Sequence, residues 1–563
     1  MITDLPVGLI LILGAALVPF LRGNVRAAYM LLLPVVTFAW LLALPYGEFS
    51  HFELFGQTLT AMRVDRLSLL FGYVFLIAIL VSTIYALKVA DTAHHVATLI
   101  YGGSTIGAVF AGDLLTMFVF WEVTAVSSVI LIWARGGERA YRAGMRYMLI
   151  QLGSGMLLLL GAALRFDATG SLDFGKIGLD GIGGMLIFVA FGIKCGFPLL
   201  HNWVQDAYPE ATASGTVVLS AFTTKLGIYG LARGFPGTEM LIWIGALMTA
   251  FPIFYAVIEN DLRRVLAYSM TNQLGFMVVG IGIGSELALN GAVAHAFADI
   301  LFKMLLYMSM GAVLHRTGTV KGTDLGGLYK SMPVTTGFCI VGASSISAFP
   351  LFSGFVTKSM VMAAAAMEGH TFIWLVLLFA SAGVFHHAGI KIPYFAFFAH
   401  DSGIRCREAP ASMLIAMGIA AALCVGIGSF PAALYAVLPF PVEYVPYTST
   451  HVIDQLQLLV FSALAFSVLM RTGIYPPELK SVNIDFDWTY RKLAPAIVAP
   501  IARGLSAMLA ACSARIGLAS ERSLRMLRRH HGPEGALART WPTGSMALWV
   551  MILLLAYLVA YYV

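Results

Sequence analysis

Sixteen runs of apolar residues, most of them close to the length of a membrane-spanning helix, follow one another between Leu5 and Val563. Nothing else in the chain restricts its fold as strongly. A segment that crosses lipid must satisfy its own backbone donors and acceptors, which leaves helices or closed barrels. Runs of about 20 residues predict helices. Of the 563 residues, 59% are hydrophobic and only 11% charged, where a soluble domain carries about 25% charged residues. The expectation is an all-α polytopic membrane protein with about 16 transmembrane helices.

The loops between the runs alternate in charge. One set holds 14 Lys and Arg, among them Arg22, Arg135, Arg263 and Arg405, and the other set holds five. The positive-inside rule puts the first set in the cytoplasm and both termini outside, in a cell inner membrane. Met1–Pro6 carries no basic stretch, so Leu5–Phe20 reads as a retained span rather than a cleaved signal. Near the other end, Ile497, Ile501, Leu505, Met508, Cys512 and Ile516 recur at steps of three and four, with Arg515, Arg522, Arg525, Arg528 and Arg529 among and after them. Trp488–His531 is predicted as an amphipathic helix on the cytoplasmic side, lying on lipid or on a neighbouring subunit. Lipid headgroups account for its arginines, and no nucleic-acid partner is expected.

Five lysines fall inside apolar runs: Lys194, Lys225, Lys303, Lys358 and Lys391. A lysine at the centre of a spanning helix costs about 2.5 kcal/mol or more, so such residues are rare and mark function. The competing reading is a stem in lipid with the ammonium among headgroups, and it competes best at Lys391. Pro198 cannot donate to the carbonyl of Lys194, so that helix is expected to break beside its charge. Pro350 and Gly354 predict a second break beside Lys358. Glu122 lies well inside Leu114–Ala134 and needs a basic partner, for which Lys194 is the candidate. Steps of four put His295, Asp299 and Lys303 on one helix face, either as a proton relay or as a packed polar seam. Asp299 is expected to pair with Lys303, one turn along. His387 and Lys391 repeat the four-residue step ahead of Pro393.

Counting the runs suggests a duplication. Residues 96–235 and 236–400 each hold five, and an odd number makes the second copy inverted in the membrane. That sets Lys194 against Lys358 and Lys225 against Lys391. Residues 1–95 then form N-terminal helices, 401–470 additional helices, 471–545 the amphipathic segment and 546–563 a final helix. No phosphate loop, dinucleotide fingerprint or haem motif is present. Cys195, Cys339, Cys406, Cys424 and Cys512 have neither metal nor disulfide spacing. No cofactor, metal site or covalent chemistry is expected of the chain itself.

These residues and their surroundings resemble the proton-conducting antiporter family. It comprises the large membrane subunits of respiratory complex I and of Mrp-type multisubunit sodium/proton antiporters. Phe120-Trp121-Glu122 is similar to the family's fifth-span glutamate. Lys194 with Pro198, His201, Trp203 and Asp206-Ala207 is similar to its seventh-span lysine signature. Thr223-Thr224-Lys225-Leu226-Gly227 resembles the eighth-span lysine, and Phe302-Lys303 the central lysine of the eleventh. Asp261-Leu262-Arg263-Arg264 followed by Leu266-Ala267-Tyr268-Ser269 is another match. Phe349-Pro350, Gly354-Phe355 and Lys358 resemble the twelfth span. The matches run in one order from about residue 65 to residue 400. AYPEATASGTVVLSAFTTK with GLYKSMP and SISAFPLFSGF resembles the D-type branch of the Mrp antiporter subunits. Gln205 and Thr212 stand where many relatives have proline, and Asp299 where many have histidine.

The resemblance implies a proton-translocating subunit of a multisubunit Na+ or K+/proton antiporter, working with other subunits in lipid. Protons would pass through Glu122, Lys194, Lys225, His295, Asp299, Lys303, Lys358, His387 and Lys391. The alternative it implies is a proton-pumping membrane subunit of a complex I-like NADH:quinone oxidoreductase or a hydrogenase complex. A third is an ion- or inorganic-carbon-uptake module on the same scaffold.

Overall fold

Caps and breaks, rather than hydropathy alone, decide where these helices start and stop. A computed structural model describes residues 5–54, 56–475, 479, 483–533, 535 and 538–562. Helices α1 (Val7–Ala15) and α2 (Gly23–Ala43) precede an antiparallel hairpin, β1 (Gly47–Leu54) and β2 (Gln57–Val64), with Gly47 opposite Val64. Asp65 opens α3 (Arg66–Ala86) with a reciprocal capping box: its carboxylate accepts from the Ser68 amide, and the Ser68 hydroxyl accepts from its own. Next come α4 (Thr92–Phe110), α5 (Leu114–Trp133), α6 (Gly137–Thr169), α7 (Gly181–Cys195) and α8 (Asn202–Ala207). Asp113 caps α5 through the Thr116 amide at 2.7 Å.

Helices α9 (Ala213–Ala221) and α10 (Thr223–Gly234) are one run broken at Phe222. Then follow α11 (Glu239–Ile258), α12 (Leu262–Ile283), capped by Asp261, and the long α13 (Glu286–Thr317). Helices α14 (Pro333–Ile346) and α15 (Ser353–Met367) are again one run, interrupted at 347–352. Helix α16 (Thr371–Val384) continues through a π-helical stretch, Phe385–Ile390, a turn α17 (Lys391–Pro393) and a second π-helical stretch, Tyr394–Phe398. The main unit closes with α18 (Ala411–Ser429), α19 (Ala432–Tyr435) and α20 (Ser449–Thr472). Helices α12 and α13 are its centre, α12 buried almost throughout and α13 buried along its middle. Helix α11 approaches α12 so closely that a Cβ on Gly275 would sit 2.6 Å from the Gly245 carbonyl oxygen. Small residues at such crossings are how membrane helices gain contact without a hydrophobic drive.

The chain is a mostly helical, polytopic membrane protein. Among the described residues twelve helices are long and apolar enough to cross a membrane, and three shorter apolar helices lie at Val7–Phe20, Gly181–Cys195 and Pro333–Ile346. The figure differs from sixteen partly because three of the expected spans are broken: by Gly196 and Pro198, at Phe222, and between Ile346 and Ser353.

The chain divides into two compact units, Met1–Asn483 and Ile484–Val563. The second holds a π-helical turn, Thr489–Leu493, then α21 (Ala494–His531) and α22 (Thr543–Tyr562), whose side chains are exposed. The amphipathic pattern expected of Trp488–His531 is therefore carried by a helix, and an 18-residue window within Thr489–His531 is also apolar enough to span.

Candidate functional site

Two helix breaks carry two of the lysines. Helix α7 ends one residue after Lys194, where Gly196 turns left-handed at φ 77°. Pro198 follows, and then Leu199 at φ 70°. The break between α14 and α15 repeats this: Pro350 is followed by Leu351 at φ 75°. Both read Phe-Pro-Leu, at 197–199 and 349–351. The breaks expected from Pro198 and Pro350 are thus in place.

All five lysines are buried, including Lys391, so none reaches headgroups as a snorkelling side chain would. Three of them terminate helices. Lys225 Nζ donates to the Ser220 carbonyl in the last turn of α9 at 3.1 Å. Lys358 Nζ donates to the Ile346 carbonyl, the last of α14, at 3.1 Å. Lys391 Nζ reaches the end of α11, donating to Ala256, Val257 and Glu259 carbonyls at 3.2, 2.6 and 2.7 Å. The last four carbonyls of a helix have no partner within it and carry its negative dipole end. An ammonium there gains hydrogen bonds and opposite partial charge, which offsets its desolvation.

Glu122 and Lys194 do not meet. Lys194 Nζ donates to the Trp121 carbonyl at 3.1 Å and sits 4.1 Å above the Trp121 ring. Glu122 turns instead toward α6, where its Oε1 makes no hydrogen bond. It fills the space of the side chain that Gly155 lacks, and a Cβ there would collide with that oxygen. The two groups, expected from the sequence to form an ion pair that opens and closes, stand apart in this structure, near enough to interact through space.

The second correction concerns Asp299. Its partner is Lys225 of α10, at 2.7 Å with both side chains fully buried, and not Lys303 of its own helix. The contact is end-on, and neither carboxylate oxygen accepts a well-aligned hydrogen bond. Lys303 turns to α12, donating to Ser269 Oγ at 2.7 Å and the Leu266 carbonyl at 3.4 Å. His295 links two elements, with Nδ1 3.1 Å from Thr357 Oγ1 and Nε2 3.1 Å from Gln273 Oε1. Thr357 precedes Lys358, so His295 ties α13 to the helix that carries the lysine at the break. His387 is buried, with a loose backbone contact at Gly383 and no well-formed hydrogen bond. Its charge-bearing neighbours are Lys303, His386 and Lys391.

The sequence named Thr223, Gln205 and Arg263 only as motif positions and did not find the polar contacts between these charges. Tyr101 and Tyr147 hydroxyls both reach Thr223 Oγ1, at 2.5 and 3.3 Å, and Ser128 Oγ reaches Tyr147 at 2.8 Å. This ties α4, α5 and α6 to the turn before Lys225. Gln205 Nε2 donates to Thr271 Oγ1 at 3.0 Å. The Nη2 of buried Arg263 sits among the carbonyls of Tyr208, Ala211 and Thr212 and Thr216 Oγ1, sharing its two hydrogens among them and tying down the loop before α9. The resemblance had placed Arg263 in a motif and the charge count in a loop, and neither pointed to these partners. Among the described residues no group of three or more His, Cys, Asp or Glu side chains could hold a metal ion.

Residues 111–430 match the family described as NADH:quinone oxidoreductase/Mrp antiporter, transmembrane region. Hydrogenase-4 component B of Escherichia coli (strain K12) is 27% identical over 412 residues, 65% of this chain and 61% of that protein. The D subunit of the Na(+)/H(+) antiporter of Alkalihalophilus pseudofirmus is 31% identical over 291 residues, 48% of this chain and 59% of that protein. The chain thus spans less than two thirds of either relative's length. Among solved structures, the membrane-bound sulfane sulfur reductase, an archaeal respiratory membrane complex, contains a chain of the same fold. It superposes with a TM-score of 0.72 at 21% identity, over 98% of this chain and 99% of that one.

Proposed function

The chain belongs to the NADH:quinone oxidoreductase/Mrp antiporter family, and on that premise we propose that it is the proton-translocating subunit of a multisubunit antiporter exchanging Na+ or K+ for protons. One observation carries the reading. Titratable side chains on neighbouring helices are buried within electrostatic reach of one another, with Lys225–Asp299, Lys303 and Lys358 at the centre. Glu122 and Lys194 flank it on one side, His387 and Lys391 on the other, and His295 bridges within it. Hydroxyls and amides of Ser269, Gln273 and Thr357 fill the intervals. A proton passes by successive exchange among these groups, each lysine releasing its proton when a neighbouring charge changes. The membrane potential supplies about 2.3 kcal/mol per charge per 100 mV, enough to open one modest pair.

The matching Phe-Pro-Leu breaks support two inverted five-helix halves, residues 96–235 and 236–400, within sixteen crossings. The cation, the other subunits and lipid complete the assembly, in an inner membrane with both termini outside. In inverted vesicles, Lys194→Ala and Lys303→Ala are expected to abolish Na+- or K+-dependent proton exchange while the complex still assembles. Wild-type exchange in both overturns the reading.

The likeness to hydrogenase-4 component B favours a second reading, a membrane subunit pumping protons at the expense of a partner's redox chemistry. Proton movement that requires an electron donor, and persists without a cation gradient, selects it. Neighbouring genes for nickel- or quinone-binding subunits would agree with it, and genes for small Mrp-type membrane subunits with the first.

A further inference from the structure

A groove of about 350 Å³ runs between α14 and the π-helical continuation of α16. Its walls are Ile340 and Ala343 of α14, Phe349 of the break, and Phe385, Ile390 and Phe398 opposite. Ile340, Phe349 and Phe398 are exposed at its rim, so the groove is open on the face that α14 turns away from the bundle. Ser344, also in its wall, lies about 16 Å along α14 from Pro333, close to half of the ~30 Å hydrocarbon thickness. At the Pro333 end the aromatic wall runs into charge. Phe398 stacks on Tyr329, with ring centroids 5.6 Å apart and an interplanar angle of 20°. Lys330 follows Tyr329 and pairs with Asp401 at 2.9 Å, and Asp401 also holds Arg405 at 2.8 Å. Glu408 is committed to the first turn of α14, accepting from the Val334 amide at 2.8 Å and the Thr335 hydroxyl at 2.6 Å. Arg407 beside it is exposed and makes no ion pair or hydrogen bond among the described residues. In the loops at this end, 329–330 and 401–408, Lys330, Arg405 and Arg407 outnumber Asp401 and Glu408 by one.

We propose that this groove binds one anionic glycerophospholipid from the leaflet on the side of the basic loops. One acyl chain lies against Ile340, Ala343 and Ile390 with its end toward Phe349, and the phosphate faces Lys330 and Arg407 beside Tyr329. Three observations select a lipid over the helix of a partner. The walls are apolar where the chain would lie. The groove reaches only half-way across the membrane, where a helix would need the full thickness. Its outer end carries stacked aromatic rings and surplus positive charge, the chemistry of the headgroup level. Gly389 lines the groove and packs so closely on Ser347 that a Cβ there would overlap the serine hydroxyl. The bound chain therefore covers the seam where the π-helical stretch bearing His387 meets the second helix break. The site stands apart from the antiporter reading, because holding a lipid implies no transport.

The test uses the assembled complex in phosphatidylcholine vesicles that contain a small share of photoreactive lipid. The probe is a mid-chain diazirine, carried by phosphatidylglycerol in one sample and by phosphatidylcholine in the other. Cross-linked peptides are mapped by mass spectrometry, and the exposed side chains of α20 give the baseline for lipid that only surrounds the protein. Peptides of α14 and of residues 385–398 are expected to take about fivefold more label from phosphatidylglycerol, the ratio that one surplus basic residue at a membrane surface gives. Helix α20 should take equal label from both. Arg407→Gln, which leaves the Asp401 cluster intact, should bring the ratio at the groove close to one, and so should Lys330→Gln. Ser344→Phe, which fills the groove, should bring its labelling by phosphatidylglycerol down to the α20 level. Equal labelling by the two lipids in the parent complex would mean ordinary surrounding lipid. No label on α14 from either lipid would mean that a partner subunit covers the groove. Either result overturns the proposal, as does a preference that survives both charge variants or labelling unchanged in Ser344→Phe.

Discussion

Asp299 of α13 is held 2.7 Å from Lys225 of α10, a helix on the other side of residue 235, and leaves Lys303, four residues along its own helix, to Ser269. The neighbouring-turn rule describes helices in water, where side chains find partners along their own surface. In a bundle whose α13 is buried on every side, the nearest ammonium comes from another helix. The centre therefore holds one carboxylate among Lys225, Lys303 and Lys358, and its charge acts on the last two through space. Moving that single negative charge would change the environment of all three.

Asp299→Asn is expected to destabilise the assembled complex by about 3–5 kcal/mol, because it leaves a buried ammonium without its counter-charge. The double variant Lys225→Met/Asp299→Leu should recover most of that loss and still fail to exchange ions. Thermal unfolding of the parent, Lys225→Met, Asp299→Leu and the double variant measures the coupling. Additive effects would mean that the pair contributes no net stability.

Gly155→Ala tests the position of Glu122. The added methyl would occupy the place of the Glu122 Oε1 atom, so the carboxylate must leave α6. Exchange should fall at least as far as in Glu122→Gln, with assembly intact, since no hydrogen bond to that oxygen is lost. Unchanged exchange in Gly155→Ala would show that the orientation of Glu122 toward α6 is immaterial to transport.

The charged positions of the site were legible because a lysine or glutamate in an apolar run has no ordinary explanation. The breaks were legible from Pro198 and Pro350 for the same kind of reason. Pairings were not. Spacing along a helix reports only neighbours on that helix, and so it offered Lys303 to Asp299 and could not see Lys225. Thr357, Gln273 and Tyr101 escaped notice, and Ser269 was named only as a motif position, because hydroxyl and amide residues are common in membrane helices and gain meaning only from what faces them. The break at Phe222 has no proline to announce it, which is why the apolar run around it shows no interruption in the sequence.

Arg263→Lys separates charge from geometry. Arg263 Nη2 lies within hydrogen-bond distance of three carbonyls and Thr216 Oγ1, and its two hydrogens are shared among them, whereas an ammonium presents a point charge on a different stem. Unsatisfied buried acceptors cost about 1–3 kcal/mol, so the conservative variant should lose stability on that scale. Arg263→Ala should lose more. A thermal midpoint in Arg263→Lys equal to that of the parent complex would contradict this account of the loop before α9.

The two left-handed leucines give the last test. Leu199 and Leu351 stand at φ 70° and 75°, each directly after the proline of its break. An L-residue in that region is strained by about 1–2 kcal/mol, and glycine is not. Neither leucine repays the strain through packing in the described unit, being 59% and 57% exposed. The usual order of glycine and alanine should therefore invert at both positions. Leu199→Gly and Leu351→Gly should each be more stable than the matching alanine variant by about 1 kcal/mol, because alanine keeps the strain and discards the side chain. Elsewhere in a helix glycine would be the less stable by a similar amount. Thermal unfolding of the four variants in the purified complex measures the order. Alanine equal to or better than glycine at both sites would mean that the left-handed turns are not populated. Inversion at one site alone would mean that the two breaks, alike in sequence, differ in backbone.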